Sequence, residues 1–249
     1  MTRIRGYHRP ATVEEALDLL ARTEVSTAPL GGGTVLNGLP EAVPDEVVDI
    51  QNLSLDSITR DGATLRFGAM ARLQDVVNHE WTPPVLADLA HGEAPSTLRN
   101  AATVGGTVAA ADSESRFLAG LLAYGATATL ATTAGEEQMT VADILQDRSV
   151  LAGKLITAVS LTVGDRGALA GTGRTPADTP IVLVAGRRHE DGSTTLAATG
   201  VAPTPVVIDL SRANELDPPG DFRGSPDYRR HLAAVLGARV AADLESGPE

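Results

Sequence analysis

Three consecutive glycines, Gly31-Gly32-Gly33, stand directly after a strand-like run, Thr27 to Leu30, and lead into Thr34-Val35-Leu36. Without a Cβ, such a run exposes backbone N–H groups to close approach, which suits either a tight turn or a pyrophosphate. A second pair, Gly105-Gly106, sits in a stretch of small and polar residues, 96–112, that reads as a second glycine-rich loop. Neither cluster is a Gly-x-Gly-x-x-Gly fingerprint, and no Gly-x-x-x-x-Gly-Lys-Ser/Thr phosphate loop occurs. Taken alone, the triple glycine reads at least as well as a structural turn.

The segments around these glycines mix helix and strand. Thr12 precedes Val13 to Ala21 as an N-cap, with Glu15 three residues on, and Val13, Ala16, Leu17 and Leu20 share a face. Glu46 to Ile50 reads as a strand, closing a first α/β subdomain over 1–54. A second, 55–164, holds strands at 64–70, 126–132 and 154–163. Its helices are expected at 73–79, from Pro84, at 115–124 and at 141–146. Gly164 to Thr179, rich in Gly, Pro, Thr and Ala, reads as a boundary loop. A small α+β C-terminal domain, 165–249, then carries Ile181 to Ala185, a hairpin turn at Asp191-Gly192, Thr194 to Ala198 and a last helix over about 226–244. Leu232, Val235, Leu236, Val240 and Leu244 are expected on that helix's inner face.

Composition excludes several function classes. Aromatics make up only 3% of the 249 residues, so Ala, Val and Leu must fill the core. The net charge of −12 lacks the basic footprint of a nucleic-acid binder. No run approaches the ~18 apolar residues of a membrane span, and Met1 to Tyr7 has no signal-peptide core. The chain therefore reads as soluble and cytoplasmic. With no cysteine it holds no iron–sulfur cluster of its own. The five histidines form no pair at metal-ligand spacing, and no Gly-x-Ser-x-Gly elbow is present, so nothing suggests a hydrolase or a metal site.

The specific signal is the string Arg99-Asn100-Ala101-Ala102-Thr103-Val104-Gly105-Gly106-Thr107, followed by Ala111-Asp112 and an apolar helix. It resembles the flavin-binding signature of the molybdenum hydroxylase flavoproteins, which include the medium subunit of aerobic carbon monoxide dehydrogenase and the FAD domain of xanthine dehydrogenase. Tyr7-His8-Arg9-Pro10, Val48-Asp49-Ile50, Leu65 to Ala69, Gly200 to Pro205 and Tyr228 to Leu232 resemble further strings of that family, in order. The resemblance implies an α+β fold of the vanillyl-alcohol oxidase and p-cresol methylhydroxylase type. It also implies FAD, its diphosphate held by backbone amides of Gly31 to Thr34 and of Gly105 to Thr107. Leu30, Val35, Leu36 and Val104 would complete these loops, Thr103 and Thr107 would add hydroxyls, and Ile156 would flank the flavin ring. Arg99 and Asn100 would either touch this site or brace the loop. No acid–base catalytic residue is expected. The expected partners are an iron–sulfur small subunit with [2Fe–2S] clusters and a molybdopterin large subunit, in a dimer of heterotrimers.

Three departures bear on the ring. The family's Gly-Gly-Asn ends here in Thr107. Its Ala-Asp-Pro-x-x-Asp reads Ala111-Asp112-Ser113-Glu114-Ser115-Arg116, which puts Arg116 where relatives carry a second flavin-site Asp. Its Tyr-x-Lys-x-x-x-Arg keeps only Arg174, with Ala168 and Ala170 in the Tyr and Lys positions. Asp112 and Arg116 are accordingly expected at the flavin, with Arg116 turned either toward the ring or toward solvent. Two other functions fit the same residues: a scaffold that has lost FAD, and a stand-alone flavoprotein reductase.

Overall fold

The computed structural model describes residues 4–36, 44–164, 166–173 and 178–246, so Arg174 lies outside the described residues. The chain opens with a three-stranded parallel sheet of β1 (Gly6–His8), β2 (Thr27–Leu30) and β3 (Glu46–Asp49), ordered β1-β3-β2. Parallel strands need a crossover, and α1 (Val13–Leu20) provides the first. It begins where the sequence places it. The Thr12 hydroxyl accepts from the Glu15 amide at 3.2 Å, and the Glu15 carboxylate accepts from the Ala11 amide at 2.8 Å.

A five-stranded antiparallel sheet follows: β4 (Ile58–Asp61), β5 (Thr64–Gly68), β6 (Thr127–Thr132), β7 (Gly135–Thr140) and β8 (Leu155–Thr162), ordered β4-β5-β8-β6-β7. Between β5 and β6 the chain forms α2 (Leu73–Asn78), α3 (Pro84–Glu93), α4 (Ser96–Arg99), α5 (Val104–Ala110) and α6 (Arg116–Ala123), and α7 (Val141–Gln146) precedes β8. The parallel sheet rests on this unit, because Val48, Ile50 and Leu17 share one buried cluster with Ala131 and Leu155.

The third sheet is antiparallel, with β9 (Arg166–Gly171), β10 (Leu183–Arg188), β11 (Thr194–Thr199) and β12 (Val206–Ile208) in the order β12-β11-β10-β9. One face shares a core with α6, where Phe117 and Leu121 cluster with Phe67 and Leu130 on one side and with Leu183, Ala185 and Ala197 on the other. The opposite face is covered by α8 (Pro226–Glu245). That helix lies so close that a Cβ on Gly186 of β10 would come within 2.5 Å of Val240 Cγ1.

Several expectations are corrected. The stretch 96–112 is not a loop: it holds α4 and α5, and Gly105-Gly106 occupy the first turn of α5. Glycine costs ~1 kcal/mol in a helix relative to alanine, but tertiary packing overrides that preference here. The supposed boundary loop contains β9, whose small side chains fit under α8. Val235 is half exposed rather than inward, while Leu232, Leu236, Val240 and Leu244 are buried.

Candidate functional site

A cleft of about 320 Å³ opens where the parallel sheet meets the antiparallel one. It lies at the carboxyl ends of the parallel strands, the usual ligand side of such sheets. Its walls are the turn Gly31 to Leu36, the start of α5 (Thr103, Gly105, Gly106), Ala109 and Ala110, and the segment Arg148 to Ile156. The sequence-predicted residues Gly31, Gly32, Gly33, Thr34, Val35, Leu36, Thr103, Gly105, Gly106 and Ile156 are thus brought together from three separate stretches.

The glycines are required by the contact between the two segments. A Cβ on Gly32 would sit 1.8 Å from the Ala101 carbonyl oxygen, and one on Gly105 would sit 2.7 Å from Ala69 Cβ. Gly33 adopts φ 69°, a left-handed conformation that disfavours other residues. Gly31 is less constrained, its Cβ position lying 3.1 Å from Thr103 Oγ1.

The two groups of amides assigned to a diphosphate differ in availability. On α5, the Gly105 amide donates to Ala69 O at 2.9 Å, the Gly106 amide to Thr103 Oγ1 at 3.1 Å, and the Thr107 amide to Thr103 O at 2.9 Å. The Thr107 hydroxyl also donates to Thr103 O. Across the cleft, the amides of Gly31, Gly32, Gly33 and Thr34 have no acceptor among the described residues. The donors for an anion therefore lie on the first turn, with the Thr103 hydroxyl proton beside it.

Leu30, Val104, Thr107, Asp112 and Arg116 are outside the cleft lining. Val104 is core, Asp112 is exposed, and Leu30 ends β2. Arg116 turns neither toward the cleft nor freely into solvent. It passes over Gly92 of α3, where a Cβ would meet its Nη1 at 2.6 Å, and donates to the Asp178 carbonyl oxygen at 2.7 Å. Glu114, two residues earlier, pairs with Arg223. The Asp112–Arg116 segment thus contacts the connections that flank the C-terminal sheet, at Asp178 and Arg223. Ala168 and Ala170 face the core beneath α8, so a cation at either position would point away from the cleft. Arg99 is buried and ties α4 to α2 and to the end of α3, donating to Gln74 Oε1 and to the carbonyls of His91 and Ala94. Asn100 closes α4 by donating to Ser96 O.

Two cleft residues escaped sequence reasoning. Arg148 and Lys154 both line the cleft. Lys154 is paired with Glu137, whereas Arg148 is exposed and has no partner among the described residues. Asp49, buried at the end of β3 beside Leu30, accepts from the Tyr7 hydroxyl and from the Gln51 amide at 3.0 Å. No residue-type pattern marks Arg148 or Lys154; their placement comes from strand order. Glu93 at the end of α3 accepts from the Phe117 amide at 2.8 Å, and burial pushes its carboxyl above the ordinary value against the pull of Ser115 and Phe117. It serves the start of α6 and lines no cleft. No group of three or more metal-ligating side chains occurs among the described residues, and none of their helices is long and apolar enough to cross a membrane.

A parallel three-stranded unit set on an antiparallel five-stranded one, with a glycine-walled cleft between them, defines a two-unit α+β ligand-binding architecture. Residues 2–162 match the family described as the FAD binding domain in molybdopterin dehydrogenase, and the chain belongs to that oxidoreductase family. It is 28% identical to the uncharacterized protein YgfM of Escherichia coli K12, over 99% of this chain and 98% of that one. It is 24% identical to the carbon monoxide dehydrogenase medium chain of Afipia carboxidovorans, over 92% and 93%. A chain of the solved reconstituted CO dehydrogenase from Oligotropha carboxidovorans superposes with a TM-score of 0.87 at 22% identity, covering 98% of this chain and 99% of that one. The α+β fold expected from the resemblance is the fold found.

Proposed function

We propose that this chain is the FAD-binding electron-transfer subunit of a heteromeric molybdenum hydroxylase, with its cofactor in the cleft beside Gly31 to Leu36. The observation that carries the reading is the row Gly31 to Thr34, whose amides have no acceptor among the described residues, lining a cleft in a chain of an FAD-binding family. Neutral amide dipoles stabilise a diphosphate locally even on a chain of net charge −12. The remaining wall offers Ile50, Leu151, Leu155 and Ile156 as an apolar surface for a planar ring. Residues 1–54 and 55–164 would form the two cofactor-binding subdomains, and 165–249 the C-terminal domain.

Bound FAD would take electrons from iron–sulfur clusters in a small subunit, themselves supplied by a molybdopterin large subunit, and release them to an external acceptor. The chain's own part is to bind and orient the cofactor and to dock its partners in a dimer of heterotrimers, in the cytoplasm. The absence of cysteine fits a dedicated flavin subunit. The departures that favoured a scaffold without FAD lose force, because Arg116, Ala168 and Ala170 all lie away from the cleft.

Purified chain reconstituted with FAD should show the visible flavin absorption bands after desalting; a colourless protein refutes the cofactor assignment. Native purification should recover an iron–sulfur and a molybdopterin subunit. A chain that carries FAD but no such partners would instead be a stand-alone flavoprotein.

A further inference from the structure

The cleft that holds the glycine turn also carries a cation that no described residue neutralises. Arg148 begins the short 3₁₀ turn Arg148–Leu151, where the chain passes from α7 to β8. The nearest carboxylate in sequence, Asp147, is committed to capping that turn by accepting from the Ser149 amide at 2.9 Å. The cleft's other cation, Lys154, is held by Glu137. Arg148 has neither a hydrogen bond nor an ion pair among the described residues and lines the same cleft as Gly31 to Leu36. Meanwhile the amides of Gly105 to Thr107 are used inside the protein, so α5 contributes little to offset an anion's charge.

We infer that Arg148 is the counter-charge for the phosphates of the dinucleotide in this cleft, facing them from the side opposite the Gly31–Thr34 amides. The inference rests on the cleft being the FAD site. A guanidinium offers several donors in a fork that matches phosphate oxygens, and it keeps its charge at every physiological pH. In an acidic protein such a group does what neutral amides cannot: it makes cofactor affinity depend on ionic strength.

The test is a fluorescence titration of the full chain with FAD and with riboflavin, which lacks both phosphates, at low and high salt. Arg148→Gln is expected to weaken FAD binding about tenfold at low ionic strength, as loss of one charge-assisted hydrogen bond implies. The gap should narrow as salt rises, riboflavin binding should not change, and Arg148→Lys should recover part of the loss. Arg148→Glu should weaken FAD further. An Arg148→Gln chain that binds FAD with wild-type affinity and salt dependence overturns the inference and leaves the FAD site standing. So does equal loss of FAD and riboflavin, which would make the residue a matter of shape. A wild-type chain that binds no FAD removes the site itself.

Discussion

Replacing Gly32 by alanine tests whether the glycine run exists for the contact between two segments of the protein or for the ligand. The new methyl carbon would lie 1.8 Å from Ala101 O and 2.5 Å from Ala101 C, about 1.6 Å short of ordinary van der Waals contact. Both sides of that contact are backbone, so no rotamer change relieves it. The turn or the α4–α5 connection must shift. Overpacking costs about 1–3 kcal/mol and more where the surroundings cannot give, so Gly32→Ala is placed at about 3 kcal/mol. For a chain of this length that corresponds to a fall in melting temperature of about 6–12 °C. Gly31→Ala is the control. Its Cβ would lie tight only against the Thr103 hydroxyl, at 3.1 Å, with Met70 Sδ at an ordinary 3.5 Å, and that hydroxyl can move by a few tenths of an ångström. Its cost should stay below about 1 kcal/mol. Thermal melts followed by circular dichroism compare the two without any ligand present. Equal stabilities for both variants would refute the packing argument and return the glycines to the ligand.

Other perturbations separate the site from its supports. Arg116→Ala should leave FAD affinity unchanged in a fluorescence titration, because the side chain spans Gly92 to reach Asp178 O rather than the cleft; a lost flavin would contradict that placement. Arg229, fully buried, donates to the carbonyls of Ile181 and Gly200 and pairs with Asp221 at 2.8 Å. Arg229→Ala should therefore cost about 3–5 kcal/mol in urea unfolding, and a loss below ~1 kcal/mol would show that the pair is no more than a surface ion pair. Glu93 gives a pH signature. Its folded-state pKa is raised by burial, so its favourable contribution is complete below the unfolded carboxylate value and is lost as pH rises through the folded one. The urea midpoint of Glu93→Gln relative to wild type should accordingly climb from acid toward neutral pH, and a pH-independent difference would mean that the carboxyl is well solvated.

Much of the local structure was legible before any coordinates. α1 follows its capping box, α7 its own short period, and α6 lies between the caps Ser115 and Tyr124, because each is set by contacts within a few residues. The family was legible from Arg99 to Asp112, where residue type and spacing are specific enough to name it without knowing a distance. Tertiary structure decided which members of that string face the cleft. Gly105 and Gly106 entered a helix against their propensity because α5 packs onto Ala69. Their amides were consequently paired internally, whereas those of Gly31 through Thr34 have no acceptor among the described residues. Arg116, expected near a flavin by counting along the sequence, and Ala170, at the position of the family's lysine, contact Asp178 and the core under α8 instead of lining the cleft, because a side chain's direction depends on which elements its neighbours join. Arg148 reaches the cleft only because β8 runs between β5 and β6, a long-range pairing that no local pattern encodes.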